Sequence, residues 1–172
     1  MQYLQPYLHL VGFLPSAALT ALCYLVLRRA RASMWRVALL ALPGTIAHEL
    51  AHFVVGFLLL AKPSGFSVWP RRAGRHWLLG SVDFHAIGLL NAAFVALAPL
   101  LLLPLAWLCL VRLAVPCWVS HQWGWWLAAA YLTATMVFAA LPSLQDIKLG
   151  SRSLLFYGSI VGALWGLSFF QS

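Results

Sequence analysis

Apolar positions in this chain gather in long, almost unbroken runs, each closed by a short cluster of arginine, tryptophan, glycine or proline. Five runs, at 7–27, 37–61, 86–111, 125–141 and 153–170, reach or approach the roughly 20 helical residues that cross about 30 Å of hydrocarbon. The fourth is the shortest, and Trp123, Trp125 and Trp126 mark its start at a membrane interface. Residues 62–85 break the pattern. Pro63, Gly65, Pro70, Gly74 and Gly80 punctuate two extended stretches, 65–69 and 76–84, around a basic turn, which predicts a β-hairpin. The expected fold is an all-α polytopic membrane protein, a single membrane domain over 1–172 with about five transmembrane helices and the hairpin between the second and third spans.

Composition supports that reading. Of 172 residues, 63% are hydrophobic and 8% are charged, against about 25% charged in soluble domains. The net charge of +8 raises nucleic acid as a partner. Yet the basic residues (Arg28, Arg29, Arg31, Arg36, Lys62 and Arg112) lie at the ends of apolar runs, where lipid headgroups and topology account for them. No basic face interleaved with aromatics exists, so the bilayer is expected as a partner and nucleic acid is not. Cys23, Cys109 and Cys117 are widely spaced and read as small core residues. With no Lys or Arg before Arg28 and no small-residue cleavage site, the first run reads as a retained span. The compact chain suits a prokaryotic inner membrane. Orientation is harder to read, because arginines occur on both sides of the second run: Arg28 to Arg36 before it, Arg71, Arg72 and Arg75 after it. A hairpin folded back into the membrane would remove its charges from a simple loop count. We place the N-terminus outside and the Arg28–Arg36 turn in the cytoplasm.

The second run contains His48-Glu49-Leu50-Ala51-His52, with the only glutamate in the chain. Histidines four residues apart share one helix face and can hold zinc, while the intervening carboxylate takes a proton from metal-bound water. A charge at the bilayer centre costs about 2.5–3.5 kcal/mol, so a buried His-Glu-His cluster needs a partner or a metal. Catalytic zinc takes three protein ligands and leaves one position open. With Glu49 needed as base, the remaining inventory is Asp83, Asp146, His9, His76, His85 and His121. Asp146 is preferred, because Pro142 opens the chain just before it. Asp83 and His85 compete, with Asp83 also able to finish the hairpin. His9, His76 and His121 resemble interfacial histidines. Depth is a difficulty for Asp146. At about 1.5 Å per residue, His48 lies roughly 18 Å from Arg36 and Asp146 roughly 34 Å from Trp123 along a straight helix. The fourth helix must therefore start deeper, tilt, or unwind at Pro142 and turn back.

The buried HExxH, the hairpin after it, the Asn91-Ala-Ala-Phe-Val-Ala-Leu-Ala-Pro99 element and the late aspartate together resemble the site-2 protease family of intramembrane zinc metalloproteases. The resemblance covers residues 37–150. It departs at Asp146, whose neighbours Gln145 and Ile147 replace the family's Leu-Asp-Gly. It implies zinc on His48, His52 and Asp146, Glu49 as catalytic base, and a membrane-anchored protein substrate cut in or near its transmembrane segment. Asn91 is the candidate oxyanion or substrate donor, with Thr45 and Ser143 behind it. An unpaired hairpin edge is expected to receive an unwound substrate as an added strand. Two alternatives remain: a non-proteolytic scaffold or regulator of the same fold, and a metal transporter. In the last run Gly158, Gly162 and Gly166 form a smooth stripe, which we read first as intramolecular helix packing and second as a homodimer surface.

Overall fold

The computed structural model describes residues 5–73 and 76–169, with the side chains of residues 11–70, 72 and 79–166. It is mostly helical. Helix α1 (Gln5–Ala30) is followed by the short α2 (Met34–Leu40) and by α3 (Leu42–Leu58). Pro43 stands at the start of α3, where its missing N–H costs nothing but α2 cannot continue through it. The two helices meet at a 73° bend. Four strands fill the next segment: β1 (Pro63–Ser67), β2 (Arg71–Ala73), β3 (His76–Leu78) and β4 (Ser81–Phe84). β1 pairs antiparallel with β4, and β2 pairs antiparallel with β3 inside that pair. Two small sheets result, because Pro70 lacks a ladder donor and Gly80 stiffens neither neighbour. Gly74 and Arg75, at the tip, lie outside the described residues.

A long helical rod follows. α4 (Ala92–Leu97), a 3₁₀ turn (Ala98–Leu101), α5 (Leu102–Cys109), a π turn (Leu110–Ala114) and α6 (Val115–Val119) run without a gap. α7 (Trp123–Ala139) and α8 (Leu144–Phe169) close the chain, joined by a four-residue break and a 54° bend. Two helices are long and apolar enough to cross a membrane, 11–30 and 92–119, and the number rises to four when each bent pair counts as one span.

The interior is made of small residues. Ala93, Ala96, Ala106, Ala114, Ala130 and Ala134 are buried, while Leu101, Leu105, Leu127 and Trp107 face outward. Where the surroundings are hydrocarbon, burying leucine gains little, and close backbone approach through small residues holds helices together. Gly44 shows the limit: a Cβ there would overlap the backbone carbonyl of Thr135, so α3 and α7 touch backbone to backbone.

The stripe in α8 does not pack in this way. A Cβ on Gly158, Gly162 or Gly166 would meet nothing within 4 Å, which overturns intramolecular packing as its role among the described residues. α8 is instead held to α4 nearer its start. Gly150 lies against Ala96, Ser153 Oγ accepts the Ala93 N–H at 3.0 Å, and Tyr157 donates to the Leu90 carbonyl at 2.9 Å.

Candidate metal centre

His48 and His52 project from one face of α3, as their spacing requires. Their Nε2 atoms are 3.2 Å apart. Asp146, in the first turn of α8, completes the group: Oδ2 is 3.5 Å from His48 Nε2 and Oδ1 is 3.2 Å from His52 Nε2. Ligands on a tetrahedral zinc at about 2.0–2.2 Å stand roughly 3.3 Å from one another, so these three atoms are spaced as one metal ion requires. Among the described residues, His48, His52 and Asp146 form a group that could hold a metal ion.

Hydrogen bonding fixes which imidazole nitrogen faces the centre. His48 Nδ1 donates to the Ala139 carbonyl at 2.6 Å, and His52 Nδ1 donates to the Val95 carbonyl at 2.8 Å. A carbonyl only accepts, so Nδ1 carries the proton in each ring and Nε2 of the neutral imidazole presents a lone pair. Two lone pairs and a carboxylate thus converge with no hydrogen of their own to share. A cation is the natural neutraliser of such a cluster, and the N₂O donor set suits zinc.

Helix breaks free both acceptors. Pro99 has no N–H to give Val95 four residues earlier; the chain tightens into a 3₁₀ turn, and the Val95 carbonyl takes the Ala98 N–H and the His52 ring together. At the other break, the donor that would return to Ala139 belongs to Ser143, and Ser143 N–H goes to Asp146 Oδ2 at 2.6 Å. Asp146 N–H reaches Ser143 Oγ at 3.2 Å in return. This reciprocal pair is a capping box with Asp in the fourth position, and it starts α8 while locking the carboxylate that faces the histidines. Ser143-Leu-Gln-Asp146 was the local signal for it, which a reading centred on Pro142 passes over. The break also answers the depth difficulty. α7 stops at Ala139, the chain turns by 54°, and Asp146 arrives beside His48 without a straight helix carrying it past.

Glu49 is buried on α3 and shares a cavity of about 660 Å³ with the three candidate ligands. A Cβ on Gly80 would sit 2.5 Å from Glu49 Oε1. The segment before β4 therefore lies directly on the carboxylate, and any side chain at Gly80 must displace Glu49 or the strand. Ser81, Val82, Asp83 and Phe84 of β4 line the same cavity, as do Thr45, Ser143 and Arg31.

The competing ligands are not part of the three-residue group, although Asp83 lines the same cavity. Asp83 is exposed on β4 opposite Gly65, finishing the strand pair, and His85 is exposed just beyond it. His121 is exposed in a turn against Trp123, with ring centroids 5.4 Å apart. The side chains of His9 and His76 lie outside the described residues. Asn91 is not brought to the cavity. Its Oδ1 accepts the Gly88 N–H at 2.7 Å and its Nδ2 donates to the Ala86 carbonyl at 3.0 Å, so the amide shapes the turn before α4. Thr45 and Ser143, considered only behind Asn91, do reach the cavity wall.

No protein-family model, curated protein or solved structure matches the chain. What fold and site define together is a class: a helical protein with candidate membrane spans and a His-His-Asp group that could hold a metal ion, next to a buried glutamate.

Proposed function

We propose that this protein is an intramembrane zinc endopeptidase of the site-2 protease type, acting on membrane-anchored proteins in or near a transmembrane segment in a prokaryotic inner membrane. The observation that carries the reading is the convergence of His48, His52 and Asp146 in one cavity with Glu49 and strand β4. His48, His52 and Asp146 would hold the zinc, which when bound supplies a water of pKa near 7 and polarises the scissile carbonyl. Glu49 would be the base that accepts the water's proton and returns it to the leaving amine. Gly80 packs directly against this buried carboxylate.

A protease needs an extended substrate backbone, because a helix hides its carbonyls in its own hydrogen bonds. β4 belongs to a two-stranded sheet, and its residues 81–84 line the cavity. An unwound substrate segment adds to this strand and is carried past the metal centre. A transporter would need polar groups continuing along a path, and beyond the site α7 and the rod from α4 to α6 offer few, Tyr131, Thr133 and Thr135 on α7 and Arg112 in the rod.

Purified chain should carry about one zinc and cut a model transmembrane peptide. Glu49→Gln should keep the zinc and lower cleavage at least ~10²-fold, the usual contribution of a positioned general base, while Asp146→Ala should lose the metal. Absence of zinc after native isolation, or undiminished cleavage by Glu49→Gln, overturns the reading. Zinc retention with no turnover by the wild type favours the scaffold alternative.

A further inference from the structure

Five exposed arginines, Arg28, Arg29, Arg31, Arg36 and Arg72, come from two segments that flank α3 in sequence. In a simple loop count they fall on opposite sides of that helix. The fold places them at one end. Leu79 packs on the cluster of Leu27, Ala30 and Val37, which seats the base of the inner strand pair against the corner between α1 and α2. Trp77, two residues before Leu79, pairs with Arg72. The Arg72 backbone is thus about 7 Å along the strand and about 5 Å across it from that corner. The outer pair runs back along α3, from Gly80 at Glu49 to Phe84 at Gly56.

The chain's three acidic residues cannot offset this charge. Asp146 is turned toward two imidazoles, Glu49 is buried beneath Gly80, and Asp83 lies against Gly65. Two tryptophans mark the level of the patch. Trp35, 56% exposed, precedes Arg36, and Trp69, 72% exposed, precedes Pro70-Arg71-Arg72. Exposed tryptophan beside arginine is the pattern of the headgroup region of a bilayer, and Trp35 shows it at the start of α2 and Trp69 between β1 and β2. Arg31 also stands 4.4 Å over the Phe138 ring and lines the wall of the metal-site cavity.

We propose that these arginines form a binding surface for anionic phospholipid headgroups, completed by the return of the strands along α3 and set at the rim of the cavity. Charge complementarity and the flanking tryptophans select a lipid phosphate over a nucleic acid, and the surface is independent of whether the metal centre turns over a substrate.

The test is the melting temperature of the purified chain in nanodiscs of phosphatidylglycerol or of phosphatidylcholine. Phosphatidylglycerol should raise it by several degrees, as a ligand bound to the folded state does, and high salt should shrink the difference. Arg31→Gln combined with Arg72→Gln should lose more than half of it, while Arg112→Gln, in the rod, should keep it. Mass spectrometry of the phosphatidylglycerol that copurifies with each variant reads the same binding without melting, should a variant prove too fragile to melt. Equal melting in the two lipids, an undiminished difference in the double variant, or the same shift from inorganic phosphate added to phosphatidylcholine nanodiscs overturns the proposal.

Discussion

Two groups of glycines in this chain have opposite surroundings. Gly44, Gly56, Gly80 and Gly150 follow no period in the sequence, yet each is pressed against a neighbour: the Thr135 carbonyl, the Phe84 ring, the Glu49 carboxylate and the Ala96 methyl. Gly158, Gly162 and Gly166 recur every fourth residue, and all three face open space. Regular spacing shows only that residues share a helix face. Whether anything covers that face depends on where the next element falls, and here the elements converge on the candidate metal centre and, among the described residues, leave the end of α8 uncovered.

Substitutions can break this contrast. The largest effect is expected at Gly80→Ala, where the new methyl must displace Glu49. A displacement near 1 Å is enough for roughly a 10²-fold loss of cleavage, with zinc content unchanged; wild-type turnover would show that the strand gives way instead. Next comes Ser143→Ala, which removes one half of the capping box. It should cost about 1 kcal/mol of stability and weaken zinc binding about 10-fold or more through a loosened Asp146. A chelator competition measures the second effect, and an unchanged affinity would mean that Asp146 is held by the histidines alone. The smallest is Gly162→Leu, expected to alter stability by no more than about 1 kcal/mol and in the stabilising direction, because leucine favours a helix over glycine. A fall in cross-linked dimer in that variant would place a second copy on the stripe.

Residue type and spacing made much of the centre legible. His48, Glu49 and His52 are one helix turn, so their common face follows from period alone, and the scarcity of acids led to Asp146 by elimination. The extended character of 62–85 was legible from its glycines and prolines, but its division into two strand pairs depends on where Pro70 withholds a ladder donor and where Gly80 leaves no side chain to pack. Helix count was less legible. Hydropathy finds apolar runs and cannot see that Pro43 bends one pair by 73° or that residues 140–143 bend another by 54°. The supports of the histidines were hidden for a related reason. Ala139 and Val95 contribute carbonyls, which every residue has, and only the donor that Pro99 lacks and the one that Ser143 gives to Asp146 single them out. Asn91 drew attention because a polar side chain in an apolar run suggests chemistry, whereas the turn before α4 gives its amide two backbone partners, the Gly88 N–H and the Ala86 carbonyl.

The elbow between α7 and α8 supplies the carbonyl that orients His48 from its near arm and the carboxylate that meets both imidazoles from its far arm. A few degrees of opening would withdraw both at once. An ion held at this point would therefore tie its own affinity to the hinge angle, and so to the direction in which α8 leaves the site.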